Sequence, residues 1–404
     1  MRHRPGSLWL LVALTGCGNA TPQELLVRPG IEVLLEDSTH LIAGRRVGIL
    51  TNQTGIDRSG TSDVRRLLDA GAQVTVILSP EHGIRGVLDQ EHIGHDVDSA
   101  TGIRVYSLYR DGRVRAPTPE MLREVDVVLA DLQDIGARPY TFINAVLLTM
   151  RAAAAEGVAV LVLDRPNPIG GVQVQGPVLD TAFTSSIGML PVALRHGMTL
   201  GELARFGNDR LAIGADLTVV PAAGWSRDRW FDETGLPWVR PSPSMPDLES
   251  ATHYPGLVLF EATNLSVGRG TPVAFQVVGA PWLEAAAVIR LMGPVDGAQV
   301  SDTVVRPESP PDGKYADQAI PAVRFRVTDR RRYDPVAAAT ALLAAVLELH
   351  ADSLTVLEAR LARLAGTDAL WTRLAEGASA ATIALEWREA LEAFAAVREG
   401  YLLY

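Results

Sequence analysis

Positions 79–83, Ser79-Pro80-Glu81-His82-Gly83, set a carboxylate directly after an apolar run. Pro80 fixes the chain before Glu81, and Gly83 and Gly86 permit tight turns after it. A carboxyl group at the edge of an apolar wall resists ionisation, and one that keeps its proton near neutrality can act as a general acid. The competing reading is a Glu81–Arg85 pair that merely holds a loop. His82 faces away from Glu81 if the backbone there is extended. Three further apolar runs discharge into polar segments: Thr51-Asn52-Gln53-Thr54-Gly55, then Asp131-Leu132-Gln133-Asp134-Ile135-Gly136-Ala137-Arg138-Pro139-Tyr140, then Asp164-Arg165-Pro166-Asn167-Pro168. Asp131 and Asp164 could instead cap helices or pair with Arg138 and Arg165. A last segment, Phe260-Glu261-Ala262-Thr263-Asn264-Leu265-Ser266-Val267-Gly268-Arg269-Gly270-Thr271, is read as a strand ending in a carboxylate, an amide and an Arg between two glycines. Flanking glycines let backbone N–H groups and a guanidinium converge on an anion or on sugar oxygens.

The elements that must position these groups follow from hydrophobic patterning. Runs at 46–51, 73–78, 104–108, 125–132, 158–163 and 217–220 are rich in Val, Ile and Leu without polar alternation, the mark of strands covered on both faces. Helical patterns at 62–70, 141–156 and 199–208 lie between them. Alternation of this kind implies right-handed crossovers and a mostly parallel sheet. The expected architecture is α/β: a Rossmann-like domain over residues 22–235 and a smaller α/β domain over 236–404 that completes a cleft. Residues 221–256, with Trp225, Trp230 and Trp238 among several prolines, read as an ordered connection, since flexible linkers rarely carry three Trp. In open α/β sheets the ligand site lies outside the carboxyl ends of the strands, where the polar segments fall.

Several chemistries are disfavoured. The first strand–helix turn, Asn52 to Asp57, has one glycine where a dinucleotide fingerprint needs three, and there is no Gly-Lys-Ser/Thr loop. No Gly-x-Ser-x-Gly elbow is present. Residues 91–98 hold His92, His95 and acidic groups, but without the i, i+4 spacing of zinc helices, so a solvated loop is expected and no metal or other cofactor is implied. The sole cysteine, Cys17, follows a basic head (Arg2, His3, Arg4) and the apolar run 8–14. That is the pattern of an export signal, too short to cross a hydrocarbon core. Its Leu14-Thr15-Gly16-Cys17 ending resembles the bacterial lipoprotein signal, which would make Cys17 a lipid-modified N-terminus and residues 1–21 a signal and tether. An ordinary signal with an incidental cysteine is the plainer alternative. A lipid-anchored protein of the cell envelope would meet little ATP or NAD(P)H, and it would keep no thiol for a nucleophile or disulfide. With 37 Lys and Arg against 47 Asp and Glu, the net charge of −10 disfavours nucleic acid or an anionic lipid surface as partner.

Taken together, Pro-Glu-His-Gly at 80–83, Asp-Leu-Gln-Asp-Ile-Gly at 131–136 with Arg138 and Tyr140, Asp-Arg-Pro-Asn-Pro at 164–168 and Thr-Asn-Leu-Ser-Val-Gly-Arg-Gly-Thr at 263–271 resemble the exo-β-N-acetylmuramidase family. The resemblance runs from about residue 30 to Tyr404. It implies a glycosidase that removes N-acetylmuramic acid from the non-reducing end of peptidoglycan-derived disaccharides or muropeptides, with Glu81 as the catalytic glutamate. Ser244 stands where the family usually has Asn, and Ala262 where it usually has Gly. Glycoside hydrolysis normally needs a second carboxyl group; Asp131, Asp134 and Glu261 are open candidates, as is assistance by the substrate's own acetamido group. Asn52, His82, Arg85, Gln133, Asp134, Asn167 and Asn264 are expected to bind sugar. Arg138 and Arg269 are expected to clamp the lactyl carboxylate; Tyr140, Trp225 and Trp230 could stack on a sugar face, with core packing an equal alternative for the two Trp. The alternative from another class is a non-catalytic periplasmic receptor that closes on wall fragments.

Overall fold

The computed structural model describes residues 26–404; the segment expected to be a signal, with Cys17, falls outside them. Six parallel strands form the central sheet: β1 (Arg46–Thr51), β2 (Gln73–Ser79), β3 (Arg104–Ser107), β4 (Val127–Asp131), β5 (Ala159–Leu163) and β6 (Leu217–Val220). Their order is β6-β5-β4-β1-β2-β3, with the short segment Asp96–Val97 antiparallel at the β3 edge as a seventh strand. This is the doubly wound Rossmann order, whose direction of winding reverses between β1 and β4. Every residue of β4 and β5 is buried, as unalternating apolar runs require.

Helices cover both faces. On one, α1 (Gly30–Asp37) and α2 (Asp63–Asp69) bury Ile31, Leu34 and Leu67 against Ile49, Leu129 and Leu161. Gly30 is required there: a Cβ would lie 2.5 Å from the backbone nitrogen of Asp164. On the other, α3 (Phe142–Ala155) and α4 (Leu200–Arg210) pack on Val128 and Val160. The start of α4 is fixed by a reciprocal cap, in which Thr199 Oγ1 accepts from Glu202 N and Glu202 Oε2 accepts from Thr199 N.

The second lobe begins with α5 (Leu248–Leu257), started by Asp247, whose side chain accepts from Ser250 N. The chain then tightens into a 3₁₀ turn over Val258–Ala262. The run expected as a strand ending at Phe260 is therefore helical: it is apolar on all sides because α5 is enclosed between neighbours, which removes the periodicity that marks a surface helix. Next come β7 (Val277–Gly279), α6 (Ala285–Met292), β8 (Ala298–Val305) and β9 (Ile320–Val327), the strands forming an antiparallel sheet in the order β7-β9-β8. Helices α7 (Pro335–His350), α8 (Glu358–Ala365), α9 (Ala369–Ala375), α10 (Ala380–Glu386) and α11 (Arg388–Arg398) follow. One apolar core runs unbroken from Val128 and Val160 through Leu257 and Phe260 to Val323 and Leu342, so the two lobes share an interior.

Candidate active site

Glu81 stands on a sharply turned loop just beyond β2. Gly83 N donates to Pro80 O and Gly86 N to Gly83 O, both at 3.2 Å, closing two consecutive turns. His82 adopts φ = 71° and Gly83 φ = 73°. Left-handed backbone is costly for a residue with a side chain, and the His82 ring secures it through Nδ1, 2.8 Å from Leu88 O. The turn directs both Glu81 and His82 toward a cleft of about 510 Å³ between the lobes.

The wall around Glu81 is not the apolar one expected. Thr141, in the turn that starts α3, donates its hydroxyl to Glu81 Oε2 at 2.5 Å. The Tyr109 phenol also faces Glu81, and burial followed by that carboxylate holds it well above its ordinary range. Tyr140, Tyr254 and Phe275 form an aromatic floor, with ring centroids 5.8 Å apart for the first pair and 4.7 Å for the second. The buried Tyr140 hydroxyl, beside Ser242, lacks a well-formed hydrogen bond.

From the second lobe come Glu261, Arg269, Lys314 and Arg360. Arg269 Nε donates to Glu261 Oε1 at 2.6 Å, its second terminal nitrogen lies 2.6 Å from the same oxygen, and the other is 3.6 Å from Asp89 Oδ2. Its guanidinium carbon is 5.0 Å from the Phe275 ring centre. Burial would lower the Arg269 guanidinium, but Glu261, then Tyr254 and Asp89, outweigh burial and keep it firmly charged. Of the sequence-selected groups, Glu81, His82, Tyr140, Glu261 and Arg269 thus meet in one cleft. Tyr109, Thr141, Asp89, Lys314 and Arg360 join them. Only Thr141 carried a signal, directly following the Arg138-Pro139-Tyr140 segment; the others sit in stretches that read as ordinary surface.

The remaining selected residues lie elsewhere, those at the ends of the central strands for one physical reason. The crevice between β1 and β4, where doubly wound sheets usually bind ligands, is filled by its own side chains and roofed by Phe231, Leu236, Pro237 and Val239, leaving about 10 Å³. Asp131 is fully buried there, with Arg165 donating to its two oxygens at 2.5 and 3.1 Å. It is a paired structural carboxylate, not a second catalytic group. Asn52 Oδ1 closes a local turn by accepting from Thr54 N and Oγ1, at 2.9 and 2.6 Å. Gln133 donates to the carbonyls of Asp134 and Pro166, and Asn167 to that of Met198.

Arg138 is 2% exposed and donates to the carbonyls of Pro177, Val192 and Leu364 at 2.9, 2.8 and 3.0 Å. Burial pushes it down to about 9. It ties backbone together and is turned away from any ligand. Asp134 is buried beside His196, whose Nε2 is 3.7 Å from Oδ2. Burial pushes Asp134 up to about 7, while burial and then the charges of Arg398 and Arg138 push His196 down to about 3. Asn264 clamps Ser353 O and Thr355 N, and Arg85 reaches Ser99 on the surface. Trp225 packs edge-on to Tyr404, and Trp230 lies beneath Arg195 and Arg330, so neither Trp reaches the cleft.

Comparison with known proteins gives a consistent result. The family described as "Exo-beta-N-acetylmuramidase NamZ, N-terminal" matches residues 47–249, and its "C-terminal" counterpart matches 252–404. A curated relative from Bacillus subtilis (strain 168), the peptidoglycan beta-N-acetylmuramidase NamZ, is 37% identical over 391 residues, covering 96% of this chain and 93% of that one. Two solved DUF1343 family proteins from Bacteroides fragilis NCTC 9343 superpose with TM-scores of 0.85 and 0.74. Each is 30% identical over 94% of this chain and 99% of its own.

Proposed function

The chain belongs to the exo-β-N-acetylmuramidase NamZ family, and we propose that it is an exo-acting glycoside hydrolase that releases N-acetylmuramic acid from the non-reducing end of peptidoglycan fragments. The observation that carries this reading is the meeting of Glu81 and Glu261, from opposite lobes, in one cleft of about 510 Å³, a size suited to a small ligand. Thr141 holds Oε2 of Glu81, which leaves Oε1 to give a proton to the glycosidic oxygen as its bond to the anomeric carbon breaks; water, directly or after the substrate's own acetamido oxygen, then bonds to that carbon and completes the hydrolysis. Glu261, oriented by Arg269, and Asp89 face the same cleft, where acidic groups offset the charge of a developing oxocarbenium ion. The aromatic floor offers sugar C–H faces a surface from which water is excluded. A non-catalytic receptor is not favoured, since the family and the curated relative are both named as muramidases.

The test is release of N-acetylmuramic acid from a muramyl disaccharide and from a chromogenic β-N-acetylmuramide. Wild type should cleave both. Glu81→Gln should lose roughly 10²–10⁴-fold on the disaccharide, and less on the chromogenic substrate, whose leaving group needs less protonation. Equal release by wild type and variant would overturn the assignment. Cys17 is proposed as a lipid-modified N-terminus that tethers the enzyme in the cell envelope, on the strength of the basic head, apolar run and Leu-Thr-Gly-Cys ending. Fatty-acid labelling that persisted in Cys17→Ala would remove that assignment.

A further inference from the structure

Muramic acid differs from other amino sugars by a lactyl ether that ends in a carboxylate, so a muramidase needs a cation with free donors in its cleft. Three cations line this one: Arg269, Lys314 and Arg360. Arg269 is committed to Glu261 and Asp89 and covered on one face by Phe275. Lys314 Nζ donates to the carbonyls of Leu265 and Phe260, at 2.8 and 3.4 Å. Arg360 differs. Its single ion contact is Glu261 Oε2 at 4.0 Å, beyond hydrogen-bonding distance, and its side chain is 53% exposed at the cleft rim. Among the described residues lining the cleft, it is the guanidinium whose donors are uncommitted. It stands in the first turn of α8, held beside the 3₁₀ turn that carries Glu261 because Leu357 N donates to Ala262 O at 2.7 Å.

We propose that Arg360, with Lys314 beside it, binds the lactyl carboxylate and thereby determines specificity for muramic acid; this rests on the muramidase reading given above. A planar guanidinium offers two parallel N–H donors that match a carboxylate. Lys314, fixed by two carbonyls with Asp312 Oδ2 4.0 Å away, places a second cation in the same wall. Glu261 disfavours a second anion alongside it, so the carboxylate is received at the outer edge of Arg360, where the guanidinium meets solvent.

The experiment measures inhibition constants of N-acetylmuramic acid, its lactyl methyl ester and N-acetylglucosamine for wild type and Arg360→Met, which keeps an apolar stem. Wild type should prefer the acid to the ester by about tenfold or more. In Arg360→Met the two should bind within about twofold of each other, while N-acetylglucosamine binding is unchanged. Cleavage should weaken through KM, with kcat retained. A variant that keeps the acid preference, or a wild type that cleaves the muramide without showing one, overturns the Arg360 assignment and leaves the muramidase reading standing. A wild type that cleaves no muramide removes both.

Discussion

Replacing Asp134 by Asn isolates one half of a buried pair whose two pH dependences oppose each other. Asp134 Oδ2 accepts from Gly136 N at 2.8 Å, Oδ1 has no partner, and His196 Nε2 stands 3.7 Å away. Burial, the largest cause, raises Asp134 to about 7, against about 3.9 in an unfolded chain. A carboxyl group raised on folding stabilises the fold fully below its unfolded value, and that contribution is lost as pH rises through its folded value. Each pH unit between them is worth about 1.4 kcal/mol, so Asp134 gives up at most about 4 kcal/mol from pH 4 to 7. His196, lowered to about 3 by burial and then by Arg398, has the opposite slope, gaining stability as pH rises toward about 6.5. Where the ranges overlap the two offset, because both groups are neutral in the fold and both are charged in the unfolded chain.

Asp134→Asn removes only the falling contribution. Its stability relative to wild type should therefore climb by about 1.4 kcal/mol per unit between pH 4 and 7. Urea unfolding of both proteins at about pH 4.5, 5.5 and 6.5 reads this directly. Parallel stability profiles would refute the reasoning. Cleavage of the muramide should survive the substitution, because Asp134 is buried and does not line the cleft.

Arg165→Met should destabilise the protein by about 3–5 kcal/mol by stranding the buried Asp131 carboxylate, and adding Asp131→Asn should restore most of the loss; thermal unfolding of the single and double variants measures both. Tyr109→Phe should lower kcat about tenfold with KM nearly unchanged, because it removes a hydroxyl that faces Glu81 and leaves the sugar floor intact. An unaltered kcat in steady-state assays would show that Thr141 alone positions the carboxyl group.

The parallel sheet was legible because its strands are covered on both faces, and an uninterrupted apolar run as short as Ala159–Leu163 fits a buried strand better than a helix. The place of Glu81 in the cleft was legible for a related reason: Pro80 and Gly83 turn the chain sharply just past a strand end, although the wall expected to be apolar is polar. The same argument failed at Asn52, Gln133, Asn167 and Asp131. Polar groups at strand ends serve equally well to fill a crevice, and nothing local announces the roof of Phe231, Leu236 and Pro237 that turns them inward. Arg138 misled in the same way, since whether an arginine meets a ligand or three backbone carbonyls depends on Pro177, Val192 and Leu364, all distant in sequence. Arg360 was invisible for the converse reason, as a charged residue in a short amphipathic helix reads as ordinary surface. The helical turn through Glu261 was missed because complete enclosure erases periodicity.

Arg138 reaches across to the backbone of Leu364, Arg398 reaches back to the carbonyls of Gly171, His196 and Gly197, and Gln173 grips those of Arg330 and Arg331. These bolts run in both directions over a shared apolar interior, so swinging one half about a hinge would strip buried donors of their acceptors. The molecule is a fixed mould, not a jaw. Sugar chains must thread their ends into a shape that already exists, and small-angle scattering profiles with and without a bound saccharide should superimpose.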